Sequence, residues 1–226
     1  MELPLAFTDR TKNLLKDEYP AFEKALREES PISIRLNPLK TNSGLFGQEQ
    51  VPWCKNGYYL QDRPAFTFDP RFHAGAYYVQ EASSMFLDYV IRQHIIRPVR
   101  YLDLCAAPGG KTTLALSALP EGSLVVCNEI VRNRAHVLAE NIIKWGNPYC
   151  IVTNNDSATF NSLKHYFDVI LTDVPCSGEG MFRKDPVAVQ EWSASNVGLC
   201  SERQKEILHN IWDALRPGGI LIYSTC

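Results

Sequence analysis

Tyr101-Leu102-Asp103-Leu104-Cys105-Ala106-Ala107-Pro108-Gly109-Gly110-Lys111-Thr112 reads as a strand that runs into a loop of small residues and then opens a helix. Small side chains let a ligand approach the backbone, and the start of a helix offers N–H groups to an anion. Outward from this stretch, apolar segments at 124–127, 149–152, 169–172 and 220–223 read as further strands. Helical segments lie between most of them, at 113–119, 132–144 and 200–215, the last closed by Arg216-Pro217-Gly218-Gly219. Strands alternating with helices predict an α/β fold with a parallel sheet and right-handed crossovers.

Upstream the pattern differs. Residues 8–29 predict two short helices broken at Tyr19-Pro20, and Ile32-Ser33-Ile34-Arg35-Leu36 alternates as a half-buried strand. The stretch 40–75 is rich in Gly, Pro, Asn and aromatics, with short strands expected at 51–53 and 58–60. Residues 82–96 carry Met85, Phe86, Tyr89 and Val90 at helical spacing. The expected organisation is an α+β accessory domain over 1–75, a connecting helix over 76–97 and the parallel sheet over 98–226.

Composition bounds the function. The 226 residues include 45% hydrophobic residues, enough for a sizeable core, and no run approaches a membrane span. Lys and Arg (23) nearly cancel Asp and Glu (25), so a polyanion would have to be held by local patches such as Arg132 with Arg134 or Arg183 with Lys184. Seven cysteines without a Cys-x-x-Cys pair support neither a disulfide framework nor a zinc site. The start lacks the features of a secretory leader, and the expected location is the cytoplasm.

Three ligands compete for the Cys105–Thr112 loop. A phosphate-binding P-loop needs a glycine five positions before Gly110-Lys111-Thr112, where Cys105 stands; a dinucleotide fingerprint needs a Gly-x-Gly-x-x-Gly that is absent. The third is S-adenosylmethionine, its amino-acid end against the loop and its ribose on an acid ending the second strand, the place of Glu129. Asp156, after the third strand, is placed for the adenine amino group. Both acids also have a local reading, Glu129 as a helix cap near Arg132 and Asp156 as an Asx turn.

Cys176 ends the apolar run Val169-Ile170-Leu171-Thr172-Asp173-Val174-Pro175-Cys176, and Cys226 ends Ile220-Leu221-Ile222-Tyr223-Ser224-Thr225-Cys226. Strand ends of this kind face the crevice where open α/β sheets bind ligands. Two thiols there point to covalent chemistry, and spacing alone leaves their roles open.

With these residues in place, the chain resembles the NOL1/NOP2/Sun family of RNA 5-methylcytosine methyltransferases. Cys105 to Lys111, Asp173 to Gly180 and Tyr223 to Cys226 are similar to its successive signature blocks, in order. Met181-Phe182-Arg183-Lys184-Asp185-Pro186 resembles the bacterial ribosomal-RNA branch of the RsmF type. Ser33 to Pro38 and Tyr77 to Met85 resemble the family's N-terminal extension.

The resemblance implies a Rossmann-like class I S-adenosylmethionine-dependent methyltransferase sheet. It also implies a cofactor site over Cys105, Ala106, Ala107, Pro108, Gly109, Gly110, Lys111, Glu129, Asp156 and Asp173. Cytosine carbon 5 is too weak a nucleophile to take a methyl group directly, whereas a thiolate added at carbon 6 makes it an enamine that can. The family assigns that attack to the Thr-Cys block, hence Cys226, and release to the Pro-Cys block, hence Cys176. The DNA enzymes reverse the two, which is the mechanistic alternative. Asp173 is expected to protonate or hydrogen-bond ring nitrogen 3, with burial behind Val169-Ile170-Leu171 raising its pKa. Lys111 either adds positive charge or is an ordinary helix-start lysine.

The implied partner is RNA, with ribosomal RNA or the small ribosomal subunit first and transfer RNA as the alternative. The target base must be single-stranded or flipped. Trp53, Tyr58, Tyr59, Phe66, Phe68, Tyr77 and Tyr78 are each candidates for base stacking or for core. A monomer is expected. The chain ends on Cys226 where methyltransferases of this fold continue, so a truncated piece is expected, with a non-catalytic RNA- or cofactor-binding fragment as the competing function.

Overall fold

The computed structural model describes residues 3–41 and 49–225. In chain order the elements are α1 (Leu5–Leu15), α2 (Tyr19–Arg27), β1 (Ile32–Leu36), β2 (Gly57–Leu60), α3 (Pro70–His73), β3 (Tyr77–Val79), α4 (Phe86–His94) and β4 (Arg100–Asp103). They continue with α5 (Gly110–Ala118), β5 (Leu124–Asn128), α6 (Arg132–Trp145), β6 (Cys150–Thr153), β7 (Phe167–Asp173), α7 (Pro186–Glu191), α8 (Ala194–Ile211) and β8 (Leu215–Ser224). Among the described residues no helix is long and apolar enough to cross a membrane.

The five-stranded sheet runs β6-β5-β4-β7-β8. Parallel register joins β4 to β5 (Leu102 opposite Val126), β5 to β6 (Val126 opposite Ile151) and β4 to β7 (Leu102 opposite Ile170). The chain builds outward from β4 through β5 to β6 and then returns to the other side of β4. That reversal puts a switch point between the carboxyl ends of β4 and β7, the place where such sheets bind ligands. Tyr101, Leu102, Val169, Ile170 and Leu171 are all at or near zero exposure, as expected for central strands covered on both faces.

Residues 31–173 and 210–223 form one compact unit, and residues up to 30, 174–209 and 224 onward form another. The expected accessory domain over 1–75 is therefore divided, and the chain does not break at 75/76. Its strands belong with the parallel sheet's unit. There β2, β1 and β3 make an antiparallel sheet, Ile34 lying opposite Tyr58 on one side and Val79 on the other. Ile34, Leu36 and Tyr77 are buried in its small core, with Phe66 and Phe72 packed on them. Tyr77 and Phe66 thus take the core reading, while Phe68 is 86% exposed.

The second unit holds the helix pair that Tyr19-Pro20 was expected to break, with a 3-10 turn at Lys16–Glu18 between α1 and α2 and Pro20 in the first turn of α2. Phe7 packs edge-on to Phe182 at 5.0 Å and to Trp192 at 5.8 Å, and Val189 completes the cluster. Arg183 is not a free surface cation here, because its guanidinium donates to the carbonyls of Glu28 and Glu29 at the end of the helix pair.

Two expectations shift. Segment 51–53 is a turn rather than a strand. The last strand begins at Leu215 and includes Arg216-Pro217-Gly218-Gly219, which turn chemistry had read as a helix stop. Proline fits there because among the described residues β8 is the edge strand beside β7, so a missing N–H need not cost a ladder bond.

Candidate cofactor and catalytic site

The loop after β4 is fixed by its backbone. Ala106 N–H donates to Asn128 O at 2.8 Å, and Gly109 N–H turns back onto Ala106 O at 2.8 Å. The guanidinium of Arg134 donates to Ala107 O and the Asn141 amide donates to Pro108 O, so α6 holds two loop carbonyls. The Ala107-Pro108 peptide is cis. Gly109 has φ of 106°, open to glycine, and an added Cβ would stand 3.2 Å from Leu138 Cδ1. In the first turn of α5, Thr113 N–H donates to Gly109 O at 2.9 Å, while the N–H groups of Gly110, Lys111 and Thr112 come before any i−4 acceptor of the helix.

A cavity of about 210 Å³ opens at the switch point. One wall is the loop, with Cys105, Ala106, Ala107, Pro108, Gly110 and Lys111, and Asp173 stands with it at the end of β7. The other wall is Tyr78, Gln80, Glu81 and Ser84, from β3 and the turn after it. An added Cβ on Gly110 would come 3.3 Å from Tyr78 Cε1 and 3.5 Å from Gln80 Nε2, so the small-residue loop keeps the cavity open. No local sequence pattern encodes this second wall, which forms when β3 pairs with β1.

Asp173 differs from expectation. Its side chain is 36% exposed and 2.6 Å from Lys111 Nζ, so the burial that was to keep it protonated is not met. Lys111 is accordingly the positive partner of Asp173. The buried acid is Asp103, two residues before Cys105, whose exposure is 0%. Thr112 Oγ1 donates to its Oδ2 at 2.6 Å, while Oδ1 has no hydrogen-bond partner among the described residues. Burial pushes its carboxyl up to about 7 against the pull of Thr112 and Lys111, with Asp173 and Glu129 adding to the rise. Sequence reasoning passed over Asp103; its signal was an acid ending the strand that feeds the loop. Burial first, and then Asp103, Glu129 and Asp173, push the Cys105 thiol up to about 12, which makes Cys105 a lining group rather than a nucleophile.

Glu129 and Asp156 both do the local job. Glu129 is 2% exposed, accepts from Val131 N–H at 2.9 Å and pairs with Arg134 at 3.3 Å. Asp156 accepts from Ala158 N–H at 2.8 Å and caps the 3-10 turn Ser157–Ser162. Neither lines the cavity.

Cys176 follows β7 by three residues. Val174 N–H donates to Ser224 O at 3.0 Å, and the Gln204 side-chain amide on α8 donates to Pro175 O at 2.7 Å and Thr225 Oγ1 at 3.3 Å. Gln204 therefore joins the residue before Cys176 to the residue before Cys226. Cys226 itself lies outside the described residues. Downstream, Glu179 Oε1 accepts from Arg10 at 2.6 Å, Ser177 Oγ at 2.9 Å and Trp192 Nε1 at 2.8 Å.

Residues 96–226 match the family model described as 16S rRNA methyltransferase RsmB/F, and residues 3–82 match the N-terminal domain of 16S rRNA methyltransferase RsmF. The ribosomal RNA small subunit methyltransferase F of Pectobacterium atrosepticum is 35% identical over 99% of this chain and 50% of its own length. That of Shewanella oneidensis is 36% identical over 95% of this chain and 49% of its own. The chain thus spans about half the length of the curated relatives it matches. A solved methyltransferase homologue from Pyrococcus horikoshii superposes with TM-score 0.81 at 28% identity, over 98% of this chain and 72% of that one. NSun6 from Pyrococcus horikoshii with SFG, at 20% identity, shares the fold with TM-score 0.84, over 99% of this chain and 83% of that one.

Proposed function

Because the chain belongs to the RsmB/F family of 16S rRNA methyltransferases, we propose that it takes part in S-adenosylmethionine-dependent methylation of cytosine carbon 5 in small-subunit ribosomal RNA. The observation that carries this reading is the cavity at the β4/β7 switch point, walled by the Cys105–Lys111 loop with Asp173 at its edge. The loop fits the amino-acid end of the cofactor, since its backbone is open and the first turn of α5 has N–H groups to offer a carboxylate. Glu129 and Asp156 serve the ribose and adenine in this reading, exchanging their present local bonds for the ligand. Bound S-adenosylmethionine supplies an electrophilic methyl group.

The chain's own groups do the rest. The Cys226 thiolate adds to cytosine carbon 6, and Asp173, entering the step as the protonated acid beside Lys111, donates its proton in a hydrogen bond to ring nitrogen 3 as electron density moves into the ring and regains it when the adduct is released. Cys176 is disulfide-bonded in the structure, so a thiol reductant must first open that bond; after methylation the Cys176 thiolate so formed takes the carbon 5 proton. The freed electron pair re-forms the ring double bond, and the bond to Cys226 breaks with its pair returning to sulfur. The three-stranded sheet and its flanking segments contact the RNA, with exposed Phe68 a stacking surface. A monomer is part of this reading, and a ribosomal substrate fits the cytoplasm.

The test is transfer of labelled methyl from S-adenosylmethionine to unmodified small subunits. Transfer supports the reading. No transfer by this chain beside transfer by a version of the relatives' length favours a binding fragment, a reading supported by its half-length coverage. Among cysteine variants, Cys226→Ala should form no covalent RNA adduct and Cys176→Ala should accumulate a methylated one. The opposite pattern reverses the two roles.

A further inference from the structure

Arg35, in the middle of β1, is 1% exposed and among the described residues has no carboxylate hydrogen-bond acceptor. Its Nε donates to Gln80 Oε1 at 2.8 Å. Its terminal nitrogens donate to Gly110 O at 3.1 Å, Thr113 O at 3.3 Å and Thr113 Oγ1 at 2.6 Å. The guanidinium lies 4.6 Å from the ring centre of Trp145 and 5.9 Å from that of Tyr78. Burying a charge without an ion pair is costly, so the neutral acceptors and aromatic faces must all be in place to offset it.

Apart from Trp145 on α6, those partners fall into two groups, each part of or continuous with one wall of the cavity. Gln80 and Tyr78 belong to the β3 wall, while Gly110 and Thr113 belong to the first turn of α5, continuous with the loop. The planar fork reaches both at once, which a lysine's single ammonium cannot do from the same site. Gly110 leaves little room between the walls, since a Cβ there would already be within 3.5 Å of Gln80. A shift of a few tenths of an ångström between the walls would therefore change what the cavity admits.

We propose that Arg35 is a positioning residue of the cofactor site, setting the spacing between the Cys105–Lys111 loop and the Tyr78–Ser84 wall so that the cavity is preformed for S-adenosylmethionine. The inference rests on the cofactor reading above. It also accounts for the accessory strands sharing a unit with the parallel sheet: β1 is fastened to α5 through this side chain.

The experiment is calorimetric titration of the full chain with S-adenosylhomocysteine, run beside unliganded thermal melts and well below the lowest melting temperature. Arg35→Lys keeps the charge and loses the fork; its affinity should fall on the order of tenfold or more. Ile91→Val, in the core away from the cavity, lowers stability by packing alone and should bind as the wild type does. If Arg35→Lys melts early but binds with wild-type affinity, Arg35 is only structural and the proposal falls. Thr113→Val removes one acceptor of the fork and should weaken binding several-fold, with Thr113→Ser restoring it. This pair decides the matter if Arg35→Lys does not fold, and unchanged affinity in Thr113→Val overturns the proposal. A wild type that fails to bind S-adenosylhomocysteine overturns the cofactor reading itself and this inference with it.

Discussion

Lys111 Nζ lies 2.6 Å from Asp173 Oδ2 across the carboxyl ends of β4 and β7, with the two side chains 21% and 36% exposed. A pair this open to water contributes little to stability, about 0–1 kcal/mol. Its value is in holding a carboxyl group at the cavity's edge. Lys111→Met should shift the melting temperature little and lower labelled methyl transfer at least tenfold, as expected for loss of a group orienting an acid. Transfer at the wild-type rate would remove the pair from the chemistry.

Asp103 gives the sheet a pH dependence. Its carboxyl titrates near 7 in the folded chain because it is buried, whereas an exposed aspartate titrates near 3.8. A raised folded pKa means the folded state holds the proton more tightly, so the stability it contributes is full below pH 4 and lost as pH rises from about 4 through about 7. Asp103→Asn keeps an acceptor for Thr112 without the charge. It should raise the melting temperature at pH 8, by an equivalent on the order of a few kcal/mol, and change it little at pH 4. Equal shifts at both pH values would mean that Asp103 carries no such linkage.

The parallel sheet was legible because its strands are short apolar runs between helices, and β4 and β7 are both found where periodicity predicted them. The loop was legible from its small residues. The domain division was not, because the bonds from Arg35 to Gly110 and Thr113 span 75 and 78 positions, and no local pattern encodes them. The second cavity wall was hidden for the same reason, since β3 is three residues long and defined by pairing with β1. Glu129 shows a different limit. An acid after a parallel strand serves a ribose or its own following turn equally well, and here it bonds Val131 and Arg134. Asp173 was misjudged because an apolar run ahead of a residue says little about the exposure of the strand's last side chain.

Gln204 bridges Pro175 O and Thr225 Oγ1, the residues that precede the two motif cysteines. Its loss should leave cofactor affinity unchanged, because the cavity is lined by other residues. Gln204→Leu is therefore expected to bind S-adenosylhomocysteine as the wild type does while transferring methyl at least tenfold more slowly, since reacting groups tolerate little displacement. Parallel calorimetry and transfer assays separate the two effects. A weakened affinity, or an unchanged rate, would show that the bridge does not position the cysteine-bearing segments.

Glu179 is the hub of the segment that follows Cys176. One of its oxygens accepts from Arg10 on α1, from Ser177 and from Trp192 Nε1; partial burial pushes its carboxyl up, but these three hydrogen bonds and the charge of Arg10 outweigh it and hold it below the ordinary range. Glu179→Ala would leave the mostly buried Trp192 indole N–H without its acceptor, at a cost of about 1–3 kcal/mol. The expected result is a lower melting temperature at pH 7. A lowered folded pKa contributes stability above the unfolded value and loses it as pH falls through the folded one, so the deficit of the variant should shrink on acidification below about pH 4. Phe7, Phe182 and Trp192 remain packed in the variant, so the helix pair should stay folded and the comparison is made within one native state. A deficit that persists unchanged at pH 3 would assign the loss to packing rather than to the carboxylate.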